Sequence, residues 1–168
     1  MELHISALAS RGTADCTGQT EKTLNFDSEN IVFKNYGVGH TDGDLSVYFP
    51  KADVLVMGDN FWNGYYPFID NGVGGGTDGM IRWVAASLPA VTDKTIIIPG
   101  HGPVGNRTQL IEFRDMLVAT RDNVSRLKKQ GKSIDEVVAA NPTAAYDKKW
   151  GNYVISGPFF TRLVYAGV

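Results

Sequence analysis

Gly39-His40-Thr41-Asp42-Gly43-Asp44 follows the β-rich stretch Ile31-Val32-Phe33-Lys34-Asn35-Tyr36 and sets a histidine and two carboxylates in a glycine-flanked turn. The same construction recurs downstream. Val54-Leu55-Val56-Met57 runs into Gly58-Asp59, and Thr95-Ile96-Ile97-Ile98 runs into Pro99-Gly100-His101-Gly102-Pro103. Each stretch offers one potential ligand for a divalent metal at the end of an apolar strand, and turns at strand ends let residues distant in sequence meet. A lone histidine more often packs or meets solvent than binds metal, and an aspartate after a strand commonly just starts a turn. Two of the three histidines in equivalent positions make the ligand reading the stronger one.

Around these motifs the chain reads as short strands followed by helices. Leu24-Asn25-Phe26 and Ile31 to Tyr36 are expected as a hairpin around Asp27-Ser28-Glu29-Asn30, and Leu45 to Phe49 with Val54 to Met57 as a second pair. Asp78 to Leu88 is expected as a helix with Asp78 as its N-cap. The continuous apolarity of Thr95 to Ile98 predicts a central strand. Leu110, Phe113, Leu117, Val124 and Leu127 form the stripe of an amphipathic helix ending at Gly131, and Ser133-Ile134-Asp135-Glu136 is a capping box for a shorter one. Pro158 to Ala166, with Phe159, Phe160, Leu163 and Val164, is expected to pack back on the sheet. Residues 1–22 read as a leader with a short helix near Ile5 to Ala9, and 23–168 as one α/β (α+β) unit.

Composition narrows the function. With 168 residues, 43% apolar and 20% charged, the chain has an ordinary globular composition. A net charge of −2 gives no footprint for nucleic acid, and no apolar stretch reaches the ~20 residues of a membrane span. The single cysteine rules out an internal disulfide and a cysteine zinc cage. Met1-Glu2-Leu3-His4 lacks a signal-peptide pattern, so the cytoplasm is the default compartment, with the periplasm open if a signal precedes it. Gly72-Val73-Gly74-Gly75-Gly76-Thr77-Asp78-Gly79 lacks a phosphate-loop ending and is expected as a flexible surface loop. Arg107, Arg114, Arg121 and Lys128 recur every seven residues among acidic neighbours, as a solvated helix face does. Cys16 and Ser46 have no context for a nucleophile.

From about Thr23 onward, the order of strands and the three motifs resemble the carboxyl-terminal half of a metallo-β-lactamase-superfamily hydrolase. Met57-Gly58-Asp59-Asn60-Phe61-Trp62-Asn63-Gly64 and Tyr66-Pro67-Phe68-Ile69-Asp70 share in that resemblance. It implies half of an αββα sandwich, a mixed sheet covered by helices. It also implies metal-dependent hydrolysis of a small-molecule substrate at two divalent ions, zinc by preference. His40 then corresponds to the third histidine of the first site, Asp59 to the catalytic carboxylate that bridges both metals, and His101 to the histidine of the second site. Asp42 and Asp44 are candidates to orient His40, and Trp62, Tyr65, Tyr66 and Phe68 to wall a substrate pocket. The family's opening His-x-His-x-Asp-His run does not occur in this sequence, which leaves each metal short of ligands. The alternative is a non-catalytic metal-binding or dimerisation module of the same fold. A half-sandwich with strands apolar on both faces is expected to hide the uncovered face in a homodimer, the alternative being that residues 1–22 fold across it.

Overall fold

The computed structural model describes residues 19–168. The helix expected near Ile5 to Ala9 lies outside them. Strand β1 (Gln19–Phe26) takes in four residues assigned above to the leader, and pairs antiparallel with β2 (Glu29–Tyr36). Asp27 and Ser28 both have positive φ, 46° and 65°, as a two-residue turn matched to strand twist requires. β3 (Ser46–Phe49) and β4 (Val54–Trp62) continue the antiparallel meander. β5 (Ile96–His101) then joins β4 in parallel, giving the order β1-β2-β3-β4-β5 in one mixed sheet.

Thr95 to Ile98 therefore lies at an edge, not at the centre. Ile97 is fully buried against the helices, whereas Ile96 and Ile98 face the other side of the sheet and are exposed. The strand's outer edge is occupied by a bridge to Gly105, through Ile97 N–H to Gly105 O at 2.9 Å and the reciprocal bond at 2.8 Å.

Helix α1 (Thr77–Ser87) forms the crossover between β4 and β5. Its N-cap is Gly76; Asp78 instead sits in the first turn, where it favours the helix dipole and pairs with Arg121. α2 (Arg107–Lys129) starts at an Asn106–Gln109 capping box and stops before Gly131, whose φ is +83°. α3 (Ile134–Ala139) carries the expected Ser133–Glu136 box. α4 (Ala144–Trp150) was not anticipated, and α5 (Gly157–Gly167) closes the chain. The heptad cations of α2 are tied to Asp93, Asp115, Asp78 and Asp122, and to the carbonyls of Tyr165 and Val168.

α1 and α2 pack on β4 and on each other, and α5 packs on both. Leu55, Met57 and Ile97 from the sheet join Met80, Val84, Phe113, Leu117 and Phe160 from the helices in one core. The opposite sheet face is also apolar. The register aligns Phe33, Val47, Val56 and Ile98 in one row and Phe49, Val54 and Ile96 in another. Leu24 (44% exposed), Phe26 (53%), Ile96 (47%) and Ile98 (37%) leave that face open to solvent.

Candidate metal centre

His40 sits in the turn that leaves β2, and the backbone of that turn is held from three directions. Its N–H donates to Asn60 Oδ1 at 3.1 Å, its carbonyl accepts from Asp70 N at 3.1 Å, and Gly39 O accepts from Gly76 N at 2.9 Å. From α1, the Trp83 indole donates to Gly37 O at 2.6 Å and the Arg82 guanidinium to Val38 O at 2.6 Å. The glycine-rich segment is thus not a free surface loop. A Cβ on Gly75 would stand 2.0 Å from His40 O, and one on Gly79 2.4 Å from Val38 O. These glycines let the α1 entrance lie directly against the histidine turn.

Of the two acidic neighbours, Asp42 is exposed and Asp44 turns inward. Asp44 accepts from Thr41 N at 3.0 Å and from Thr41 Oγ1 at 2.9 Å, and its Oδ1 lies 3.8 Å from His40 Nδ1, a charge contact longer than a hydrogen bond. Burial pushes the Asp44 carboxyl up, but His40, both Thr41 donors and Asn60 outweigh it and hold the group below its usual range. Asp44 in turn raises the His40 imidazole above the ordinary histidine value; burial opposes this, and the charges of Asp59 and Asp70 add to it.

Asp59 lies inside the extended β4, beyond a break in register at Gly58 (φ +53°). Such bulges re-aim the side chains that follow them. His101 ends the parallel neighbour β5 in register with Trp62. The two side chains meet, with His101 Nε2 3.3 Å from Asp59 Oδ1. Gly100 makes room for that carboxylate, since a Cβ there would fall 2.1 Å from Asp59 Oδ1. Gly102, at φ +95° and with Asn63 O 2.2 Å from where its Cβ would be, lets the turn close on Asn63. Asn63 completes the clamp, donating its N–H to His101 O at 2.9 Å and its amide to Pro103 O at 2.9 Å.

Aromatic rings flank both imidazoles. Trp62, almost fully buried, stacks on His101 with centroids 3.8 Å apart, and its indole N–H has no hydrogen-bond partner among the described residues. Phe68 stands edge-on to His40 at 6.2 Å, and the half-buried Tyr65 lies against Tyr153 at 4.7 Å. Tyr66 is placed elsewhere. It is fully buried, stacked on Phe160 at 4.5 Å and bonded to Asp147 at 2.9 Å, so it is part of the core. Phe159, expected to pack inward, is 41% exposed and lies 6.5 Å from Phe68. Asn60, Asp70, Gly75, Tyr153 and Phe159 were given no place beside the histidines from the sequence; nothing in their spacing ties them to His40 or His101.

Two imidazoles and a carboxylate are the donors a borderline divalent ion takes. Ligands bound at about 2.1 Å to one tetrahedral ion stand about 3.4 Å apart, and the Asp59–His101 separation of 3.3 Å matches that spacing. The fit extends to this pair only. Among the described residues no three His, Cys, Asp or Glu side chains come together as a metal-holding group. His40 feels the charge of Asp59 without joining it.

No family model matches the chain. The "Probable metallo-hydrolase YqgX" of Bacillus subtilis (strain 168) is 29% identical over 65 residues, 39% of this chain and 30% of that protein. Among solved structures, the sec-alkylsulfatase Pisa1 from Pseudomonas sp. aligns over 86% of this chain and 25% of its own, with TM-score 0.67 and 22% identity. The DIM-1 metallo-β-lactamase aligns over 58% of this chain and 45% of its own, with TM-score 0.50 and 26% identity. A metallo-β-lactamase from Pontibacter korlensis aligns over 67% and 53%, with TM-score 0.50 and 22% identity. The chain thus spans under a third of the curated relative and about half of each lactamase. By its mixed sheet, its helical cover and these likenesses, the chain has the fold of metallo-β-lactamase-superfamily proteins and is similar to them.

Proposed function

We propose that this chain is the carboxyl-terminal half of a metal-dependent hydrolase that acts on a small-molecule substrate. Asp59 and His101 would hold one divalent ion, zinc by the chemistry of the donors, and His40 would serve a neighbouring one. The observation that carries the reading is the Asp59–His101 pair, set at ligand spacing on adjacent parallel strands with Gly100 left bare to admit the carboxylate. A metal bound there would supply hydroxide at neutral pH and stabilise a developing oxyanion. The chain's own contribution is positional: Asp44 steadies the His40 ring, and Asn63 fixes the turn that carries His101. The remaining ligands would come from a second half-domain packed on the open sheet face.

That open face also favours a second reading, a dimerisation module of the same fold in which one copy covers another. Exposed Leu24, Phe26, Ile96 and Ile98 support it. Both readings place a cover on the same surface, and only the first requires a metal. Calorimetric titration with zinc separates them. The hydrolase reading predicts one weak site per chain, lost in Asp59→Asn and in His101→Asn and kept in Asp42→Asn. Zinc binding unaltered by either ligand substitution would overturn it.

A further inference from the structure

Two segments far apart in sequence bring their aromatic side chains to the candidate donors. Tyr65 and Phe68 follow β4, while Tyr153 and Phe159 flank the start of α5. On one side Tyr153 lies 6.5 Å from His101 and 4.7 Å from Tyr65. On the other, Phe159 meets Phe68 at 6.5 Å, and Phe68 meets His40 at 6.2 Å. Each imidazole thus has a two-ring apolar bank leading outward from it.

The outer bank is exposed although its backbone is anchored. Tyr153 is 51% exposed, Val154 65% and Phe159 41%, while Ile155 between them is buried. Ser156 caps α5 by accepting from Phe159 N, and Gly157 packs where a Cβ would fall 2.2 Å from Asp147 Oδ1. A fixed segment that presents apolar rings to solvent beside polar donors is the kind of patch that marks a ligand site.

We infer that these rings bind the non-reacting part of the substrate, and that this part is an apolar tail, aryl or alkyl, attached to the group that the metal centre hydrolyses. The inference rests on the hydrolase reading for the reacting end only. Tyr65, Phe68, Tyr153 and Phe159 would act as specificity residues: they hold the tail through apolar contact and leave the polar end toward His40 and His101. Discrimination by such a surface comes from area buried, so it should grow with tail size.

The test is a titration of the isotope-labelled full chain followed by NMR, with acetate, hexanoate and phenylacetate as probes. Phenylacetate and hexanoate are expected to saturate at least tenfold below acetate, with the largest shifts at Tyr65, Phe68, Tyr153 and Phe159. Tyr153→Ser with Phe159→Ser, both at exposed positions, should abolish that preference while zinc affinity is unchanged; Tyr153→Phe should retain it. Equal affinity for all three acids, or shifts centred on Leu24, Phe26, Ile96 and Ile98, would overturn the proposal. Failure of zinc to bind the wild-type chain would instead overturn the hydrolase reading, because the tail preference is read without metal.

Discussion

At the scale of the residue, the polar groups divide between the centre and the scaffold that holds it, and Tyr66 shows the scaffold's share. Its hydroxyl donates to Asp147 Oδ1 at 2.9 Å and reaches Thr143 O at 3.3 Å, joining the segment that follows β4 to the α4 region. Burial raises this phenol far above its ordinary value, and the Asp147 carboxylate adds to the effect. An unfolded tyrosine ionises near pH 10. Above that pH the unfolded chain releases a proton that the folded chain keeps, so stability should fall as pH rises from about 10. Tyr66→Phe should lose about 1–2 kcal/mol at neutral pH, from the hydrogen bond removed, yet decline less steeply in alkali. Urea midpoints at pH 7 and above 10 measure both; parallel pH curves would contradict the assignment. The sequence made His40, Asp59 and His101 visible because glycine and proline mark the strand-end turns around them. It could not separate Tyr66 from Tyr65, because adjacent aromatics on an irregular segment have no period to tell inside from outside.

At the scale of the element, the glycine-rich segment before α1 is a contact surface, which its composition conceals. Flexibility and close approach both call for glycine, and only the fold shows that Gly75 lies under His40 O. Gly75→Ala should therefore destabilise the chain by about 1–3 kcal/mol, the range for an overpacked site. Gly43→Ala, with nothing within 4 Å of the added Cβ, should be near neutral. Denaturant unfolding of the two variants measures the contrast, and equal stabilities would restore the loop reading. The strand pairs and α2 were legible because alternation and a long apolar stripe are local signals. The edge position of β5 was not. Its continuous apolarity reports two apolar faces, Ile97 toward the helices and Ile96 with Ile98 toward the open side, and says nothing about how many neighbours the strand has.

At the scale of the whole molecule, two separate features support the proposed half-fold. Among the described residues the proposed donors form a pair and a separate histidine rather than a group, and the sheet has helices on one face while the other is apolar and exposed. A second half-domain would remedy both, and in isolation a second copy of the chain is the simplest cover, since a two-fold axis presents the same patch to itself. The proposal that this chain is one half of a two-half fold requires a cover on the exposed apolar face. Light scattering at micromolar concentration tests it most directly. The expected result is a dimer of the 168-residue chain that dissociates when Ile96 and Ile98 are both replaced by lysine. A monodisperse monomer, with the wild-type chain as soluble and as stable as the lysine variant, would contradict it.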